Sequence, residues 1–456
     1  MSTRRLATGG QIDRGRPITF TWDGKTRTGY SGDTLASALI ANREEVIGRS
    51  FKYHRPRSVM SAGVEESGAI VTVGSGDRTE PNVKATMQEL YDGLEARGQN
   101  AWPSVRFDLG AVNNLLSRFL AAGFYYKTFM GIPPLEWGSG TGMWMRYERL
   151  IRRAAGMGEA SRLPDPDHYE HAHAFCDVLV VGAGPAGIAA AGAAAESGLD
   201  VVLVEQDNLL GGAQLSTPCG GSESIPSVQE LESSGVRVMT RTTAFGLYDY
   251  NVAGLVERVT DHLPDPPGYL PRQRFWTLRT KYTIVAAGAI ERHIAFGNND
   301  RPGVMTAAAA RTYLNRFAVL PGENIIIATN NDSVYEGAVE LSSAGAKVTL
   351  LDARSAISDE HMQQLTERNI EVRCGTAPLQ VLGSGNIAAL EIARADGTGW
   401  RAASTESCDL VLVSGGWSPV VNLLSHRGVK PVWDSTQACF LAVECAEPIS
   451  VAGAAA

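Results

Sequence analysis

Long apolar runs, basic tracts and paired cysteines are all missing from this 456-residue chain. No stretch is long enough to span a bilayer, and the start, MSTRRLATGGQIDRGRP, holds no apolar segment of signal length, so a cytoplasmic protein with no membrane partner is expected. A net charge of −8 with no cluster of positive charge argues against nucleic acid as a partner. Six cysteines, Cys176, Cys219, Cys374, Cys408, Cys439 and Cys445, stand apart with no C-x-x-C pair, which argues against a zinc finger, a redox dithiol and a disulfide framework. HYEHAH contains His168, His171 and His173 but no carboxylate or cysteine at ligand spacing, so no metal is expected and the segment reads as a solvated linker. No Ser/His/Asp spacing or paired-carboxylate pattern stands out, and no catalytic residue is assigned.

What the chain does contain is DVLVVGAGPAGIAAAGAAAESGLDVVLVEQ, from Asp177 to Gln206. An apolar run, Val178 to Val181, leads through a glycine turn into a small-residue helix, and Val201 to Val204 form a second apolar run, which is the pattern of a β-α-β unit. Gly182 permits a tight turn, Gly184 lets backbone amides approach a pyrophosphate, and Gly187 lets the helix lie close to the sheet. The expected phosphate cradle is therefore Gly182, Ala183, Gly184, Pro185, Ala186 and Gly187, at a helix N-terminus. Gly198 is placed to end that helix in the left-handed conformation. Glu205, with Gln206 and Asp207 beside it, stands where a carboxylate accepts hydrogen bonds from an adenosine ribose and repels a 2′-phosphate, so NADP is disfavoured. Ribose and pyrophosphate recognition are common to NAD and FAD, and the motif alone leaves the adenine nucleotide open. A glycine turn that binds nothing is the plain alternative.

A second β-α-β pattern, ENIIIATNNDSVYEGAVELSSAGAKVTLLDAR, has no glycine in its turn, Thr329 to Ser333. Side chains stand where a pyrophosphate must touch backbone, and Asp332 adds a like charge at the helix start, so this unit is expected to bind no dinucleotide. Ahead of both, ITFTWDGKTRTGY reads as a hairpin turning at Asp23-Gly24, and GDTLASALIAN reads as a short helix capped by Asp33. The segment between them and the first unit carries Phe119, Phe124, Tyr125, Tyr126, Phe129, Trp137, Trp144 and Tyr147 and is expected to lie over the nucleotide domain or a partner. Cys219, in the STPCGG loop after the first unit, reads as an ordinary thiol.

The run of hairpin, short helix, SFKYHRPRSVM, AIVTV and PNVKATM resembles the ferredoxin-type domain that opens the α subunits of heterotetrameric sarcosine oxidases and related amine and opine dehydrogenases. The cluster-bearing pattern, C-x4-C-x2-C before the VTV strand with a fourth cysteine later, would fall on Ser61, Glu66, Ala69 and Thr86, none of which can ligate iron as a thiolate. The fold expectation is α/β: a ferredoxin-like domain without cluster cysteines over 1–98, a connecting segment over 99–174, a Rossmann-like nucleotide domain over 175–320 completed by 436–456, and an inserted second Rossmann-like domain over 321–435. By resemblance to two-dinucleotide-domain flavoproteins, Gly211 and Gly212 let the loop fold over the nucleotide, Gly212 and Ala213 bind it, and the backbone of Ala244 meets the adenine. Gly288 then passes close to the ligand at the crossing between domains, and Gly453 and Ala454 sit under the pyrophosphate.

VVGAGPAG, AAGAIERHIAFGNNDRPGVM and SGGWSPVVNLL extend the sarcosine oxidase resemblance over nearly the whole chain. It implies NAD in the first nucleotide unit, FMN shared with a β subunit, FAD on that β subunit where the secondary amine is oxidised, and smaller subunits alongside. FAD in the first unit of this chain is the lesser expectation. The resemblance also implies that a folate-binding aminomethyltransferase portion is not part of these 456 residues, from a fragment or a split subunit. A proline, hydroxyproline or opine dehydrogenase subunit is the first alternative, and an inert nucleotide-binding scaffold is the second.

Overall fold

A computed structural model describes residues 3–115, 117, 148, 149, 152, 158–218, 225–443 and 447–456. The aromatic residues between Phe119 and Tyr147, together with Cys219 and Cys445, lie outside the described residues. Among the described residues no helix is long and apolar enough to cross a membrane.

The N-terminal domain is built on a five-stranded sheet in the order Lys25–Ser31, Asp13–Trp22, Glu95–Gly98, Ile70–Val73, Glu80–Lys84. Ile18, Phe20 and Trp22 point inward at every second position, which is the period a half-buried strand requires. Asp23 and Gly24 both have positive φ, 46° and 74°, as a two-residue hairpin turn demands. The helix Leu35–Ala41 follows, but its N-cap is Thr34, whose side chain accepts from the Ser37 amide. Asp33, expected as the cap, is instead buried and bound by Arg5 at 2.6 Å and by the Ser37 hydroxyl at 2.6 Å. Its oxygens are thus turned away from the helix amides.

The second sheet runs Val236–Met239, Val201–Val204, Tyr169–Val181, Gln273–Val285, Val252–Arg258, Thr242–Tyr248, and Ile449–Val451 pairs with the far half of Gln273–Val285. Its long central strand begins at Tyr169, so HYEHAH is not a linker and residues 169–174 belong to the first nucleotide unit. Ala174 and Cys176 face the core while His171 and His173 face out, and the backbone pairs in parallel with Gln273–Thr280. That partner lies far downstream, where local pattern reading does not reach.

The third sheet is wholly parallel: Val304–Thr306, Leu410–Ser414, Asn324–Thr329, Lys347–Asp352, Glu371–Cys374. Because Val304–Thr306 pairs with Val411–Val413, that strand and the helix Ala307–Phe317 after it belong to the second unit, which therefore starts before the expected residue 321. An antiparallel three-stranded sheet, Thr376–Leu382, Ala389–Ala395 and Trp400–Ser407, is added to this unit and was not expected. The helix Ala307–Phe317 packs Tyr313 and Phe317 into the same core as Phe20, Leu35 and Leu39. The N-terminal domain is thereby joined to the second unit by one continuous apolar cluster.

Candidate nucleotide-binding site

The glycine turn has the geometry its residues dictate. Gly182 adopts φ +100°, and a Cβ there would lie 2.5 Å from the Ala286 carbonyl oxygen. A Cβ on Gly187 would fall 1.8 Å from the Gly182 carbonyl oxygen, so only glycine allows the helix Pro185–Glu196 to start this close to the strand. Gly184 is the N-cap, Pro185 follows at the first turn, and a Cβ on Gly184 would meet nothing within 4 Å. The space beside Gly184 is therefore unfilled, at the helix end whose first-turn amides have no intrahelical partner.

Two further segments close around this turn. The Gly211 amide donates to the Ala183 carbonyl at 2.8 Å, and Gly212, at φ +52°, would bring a Cβ within 3.0 Å of Gly184 Cα. Ala213 is exposed in the turn Gly212–Ser216. From the other side the strand Ile449–Val451 delivers Gly453, φ +67°, whose Cβ would approach Ala186 Cβ to 2.6 Å, and Ala454 follows in the same turn. Gly288 has φ +73° and accepts from the Val420 amide at the domain crossing.

Glu205 ends the Val201–Val204 strand and is buried. One carboxylate oxygen accepts from the Ala183 amide at 2.8 Å and the other from the Asp207 amide at 2.9 Å. Burial pushes its carboxyl above the ordinary range, against the pull of these amides. Asp207 is held by Arg316 through two bonds of 2.5 and 2.8 Å; burial would raise its carboxyl, and the guanidinium overrides this and lowers it. The Gln206 carbonyl accepts from Arg258 at 2.8 Å. Beside Glu205, Gln206, Asp207 and Gly212 lies a cavity of about 200 Å³.

Ala244 is paired with Leu255 in the sheet and does not line that cavity. The backbone amides that reach the acidic strand end are those of Arg241 and Thr242, onto the carbonyls of Asp207 and Glu205. The other wall comes from the N-terminal domain: Gly32 to Thr34, Ala62, Gly63, Thr86, Met87 and Glu89. Arg258 bridges the two, donating to the Met87 carbonyl at 2.9 Å, and Arg241 binds Glu89 at 2.6 and 2.8 Å. Sequence reading did not find these residues as a wall, because only the docking of one domain on another brings them opposite Glu205, Asp207 and Gly212.

The second β-α-β unit is closed by its own side chains. Asn331 accepts from the Ser333 amide at 3.1 Å, and Asp332 pairs with Arg354 at 2.7 Å. Asp352, fully buried at the strand end, accepts from the Tyr335 hydroxyl and from Arg354. Among the described residues no group of three His, Cys, Asp or Glu is placed to hold a metal ion.

Residues 176–436 match the model of the pyridine nucleotide-disulphide oxidoreductase family. The chain belongs to that family. Residues 15–101 match the 2Fe-2S iron-sulfur cluster binding domain, although no cysteine occurs in that range, so a cluster does not fit these residues. The chain is similar over its whole length to the sarcosine oxidase subunit alpha of Rhizobium meliloti (strain 1021), with 47% identity covering 100% of this chain and 45% of that protein. A second subunit alpha, from Corynebacterium sp. (strain U-96), is 34% identical over 98% of this chain and 42% of its own length. The chain thus spans less than half the length of these curated relatives. Among solved structures, L-proline dehydrogenase from P. horikoshii superposes over 98% of this chain and 71% of its own, with a TM-score of 0.60 at 19% identity, which shows a shared fold.

Proposed function

We propose that the first nucleotide unit of this oxidoreductase-family chain holds NAD, and that the chain serves as the α-subunit portion of a sarcosine oxidase-type complex. In that complex a β subunit oxidises sarcosine on its FAD, FMN is shared at the junction, and smaller subunits accompany them. The observation that carries the nucleotide reading is the open face of Gly184, with Glu205 and a cavity of about 200 Å³ beside it. Arg316, whose guanidinium holds Asp207, lines the same cavity and sets a positive charge beside the acidic strand end. The similarity to sarcosine oxidase α subunits supports the assignment of the complex.

This chain's residues bind and orient. The amides at Gly184 and Ala186 receive the pyrophosphate, Glu205 accepts from the ribose hydroxyls, and the Gly212 and Gly453 segments keep water from the diphosphate. The flavins would supply the amine-oxidising chemistry when bound.

The test is ligand extraction and mass spectrometry on the protein purified with its companion chains, followed by assays on sarcosine, proline and octopine. NAD in stoichiometric amount and turnover of sarcosine are expected. FAD in place of NAD would move the flavin into the first unit, and turnover of proline or octopine alone would transfer the chain to those dehydrogenases. Empty protein that takes up no adenine compound in calorimetry would overturn the reading.

A further inference from the structure

The loop where the 2Fe-2S family match implies a cluster is not a collapsed remnant. Glu66 lies inside it, only 2% exposed, and its carboxylate accepts from the amides of Met60 at 2.8 Å, Ser61 at 2.8 Å, Ala69 at 2.9 Å and Gly68, and from the Ser61 hydroxyl at 3.2 Å. Successive backbone amides folded round one point form a concavity that binds anions, as phosphate and iron–sulfur sites do. Here a side chain of the same loop fills it. Ser61, Ala69 and Thr86, at the other positions of the cysteine pattern, are also buried, and none is a thiolate.

The filled loop is tied at both ends. The Thr86 hydroxyl donates to the Gly63 carbonyl at 2.8 Å, the Tyr313 hydroxyl donates to the Ser61 carbonyl at 2.9 Å, and the Thr306 amide donates to the Met60 carbonyl at 2.9 Å. Between these anchors, Ala62 and Gly63 form part of the cavity wall that faces Glu205 and Asp207.

We infer that Glu66 is a positioning residue for the adenosine end of the nucleotide site: its carboxylate fills the amide concavity in place of a cluster and so holds Ala62 and Gly63 in the cavity wall. This rests on the nucleotide reading of the first unit. A glutamine at 66 would set an NH2 group against amides that are themselves donors, leaving part of the concavity unsatisfied. The loop should then loosen and the cavity wall with it, while the glycine turn on the opposite side keeps its shape.

The experiment compares wild type, E66Q and Y313F as the full chain with its companions, using AMP and inorganic pyrophosphate as probes and hydrogen exchange over residues 58–70. Expected in E66Q is faster exchange in that segment, AMP affinity weakened about tenfold, and pyrophosphate affinity changed less than about twofold. Y313F, which removes one outer tie at a residue outside the cavity wall, should move AMP in the same direction by less, and it decides the matter if E66Q does not fold. Faster exchange with unchanged AMP affinity, or equal losses for AMP and pyrophosphate, would overturn the inference and leave the nucleotide reading standing. Wild-type protein that binds neither AMP nor NAD would overturn both.

Discussion

The two β-α-β units share one plan and differ at the two points where a dinucleotide would touch them. In the first, the turn is glycine and the acid closing the second strand, Glu205, spends its oxygens on two backbone amides beside a cavity. In the second, the turn is Asn330-Asn331-Asp332-Ser333, and the corresponding acid, Asp352, is fully buried under Tyr335 and Arg354. An acid at this strand end is therefore no sign of a ligand by itself. It can accept from a ligand only where it borders open space with accepting positions left over, as Glu205 does, and in the second unit the same group has become a structural tie.

If that contrast is right, removing each acid's setting should have opposite consequences. Asp352→Ala should cost about 3 kcal/mol of stability, since it strands the buried Tyr335 hydroxyl and part of Arg354, while AMP affinity stays as it was. Denaturant unfolding and calorimetry on one preparation would show it, and a lost affinity at unchanged stability would break the comparison. Gly184→Val should do the reverse. A side chain there enters the space left for phosphate, so nucleotide affinity should fall at least about a hundredfold, near 2.7 kcal/mol. Stability should change by less than about 1 kcal/mol, because a Cβ at 184 meets nothing in the protein itself.

Between the units, at their crossing, Glu291 accepts from the Ala308 amide at 2.7 Å, and burial pushes its carboxyl from 4.5 up to about 6. Between those values the folded chain keeps a proton that the unfolded chain has released, so this group's contribution is full below about pH 4.5 and lost as pH rises through about 6. The stability difference between wild type and Glu291→Gln should accordingly shift by about 2 kcal/mol against the wild type from pH 4 to pH 7. A difference that stays flat across that window would place the carboxyl in the ordinary range. The smallest effect belongs to the surface of the first unit. Arg237 and Asp200 pair at 3.2 Å but stand half exposed, at 47% and 55% of their side chains, and Arg237→Ala should change the melting free energy by less than about 0.5 kcal/mol. A larger loss would mean that exposed and buried pairs in this fold are less different than Asp352 implies.

The glycine turn was readable because each of its constraints is local. Gly182 must turn left, Gly187 must admit a neighbouring carbonyl, and both needs are written in the residues themselves. The hairpin at Asp23-Gly24 was readable for the same reason. The errors arose where a partner was distant. HYEHAH looked like a linker until Gln273–Thr280 paired with it, and Val304–Thr306 was given to the first unit until Val411–Val413 claimed it. Asp33 looked like a cap, and Arg5 drew it away. That Thr86, Met87 and Glu89 form a wall of the cavity was not legible, since nothing in a strand-end loop of the N-terminal domain announces which surface it will face.

Short-range backbone geometry and hydrophobic period were therefore sufficient to define a first β-α-β unit with a phosphate-type turn and a second one without it, while the ferredoxin-like domain without thiolates was read from a resemblance. The features of the two turns depend on residues within a turn or two of each other. Tertiary structure alone decided that the loop without cluster cysteines is filled by Glu66 and set across a cavity from Glu205, and that Asp352 is sealed by Tyr335 and Arg354 while Glu205, though buried, borders that cavity. The physical reason is that hydrogen-bond satisfaction of a buried carboxylate is a property of everything that packs around it, and most of those donors come from other parts of the chain.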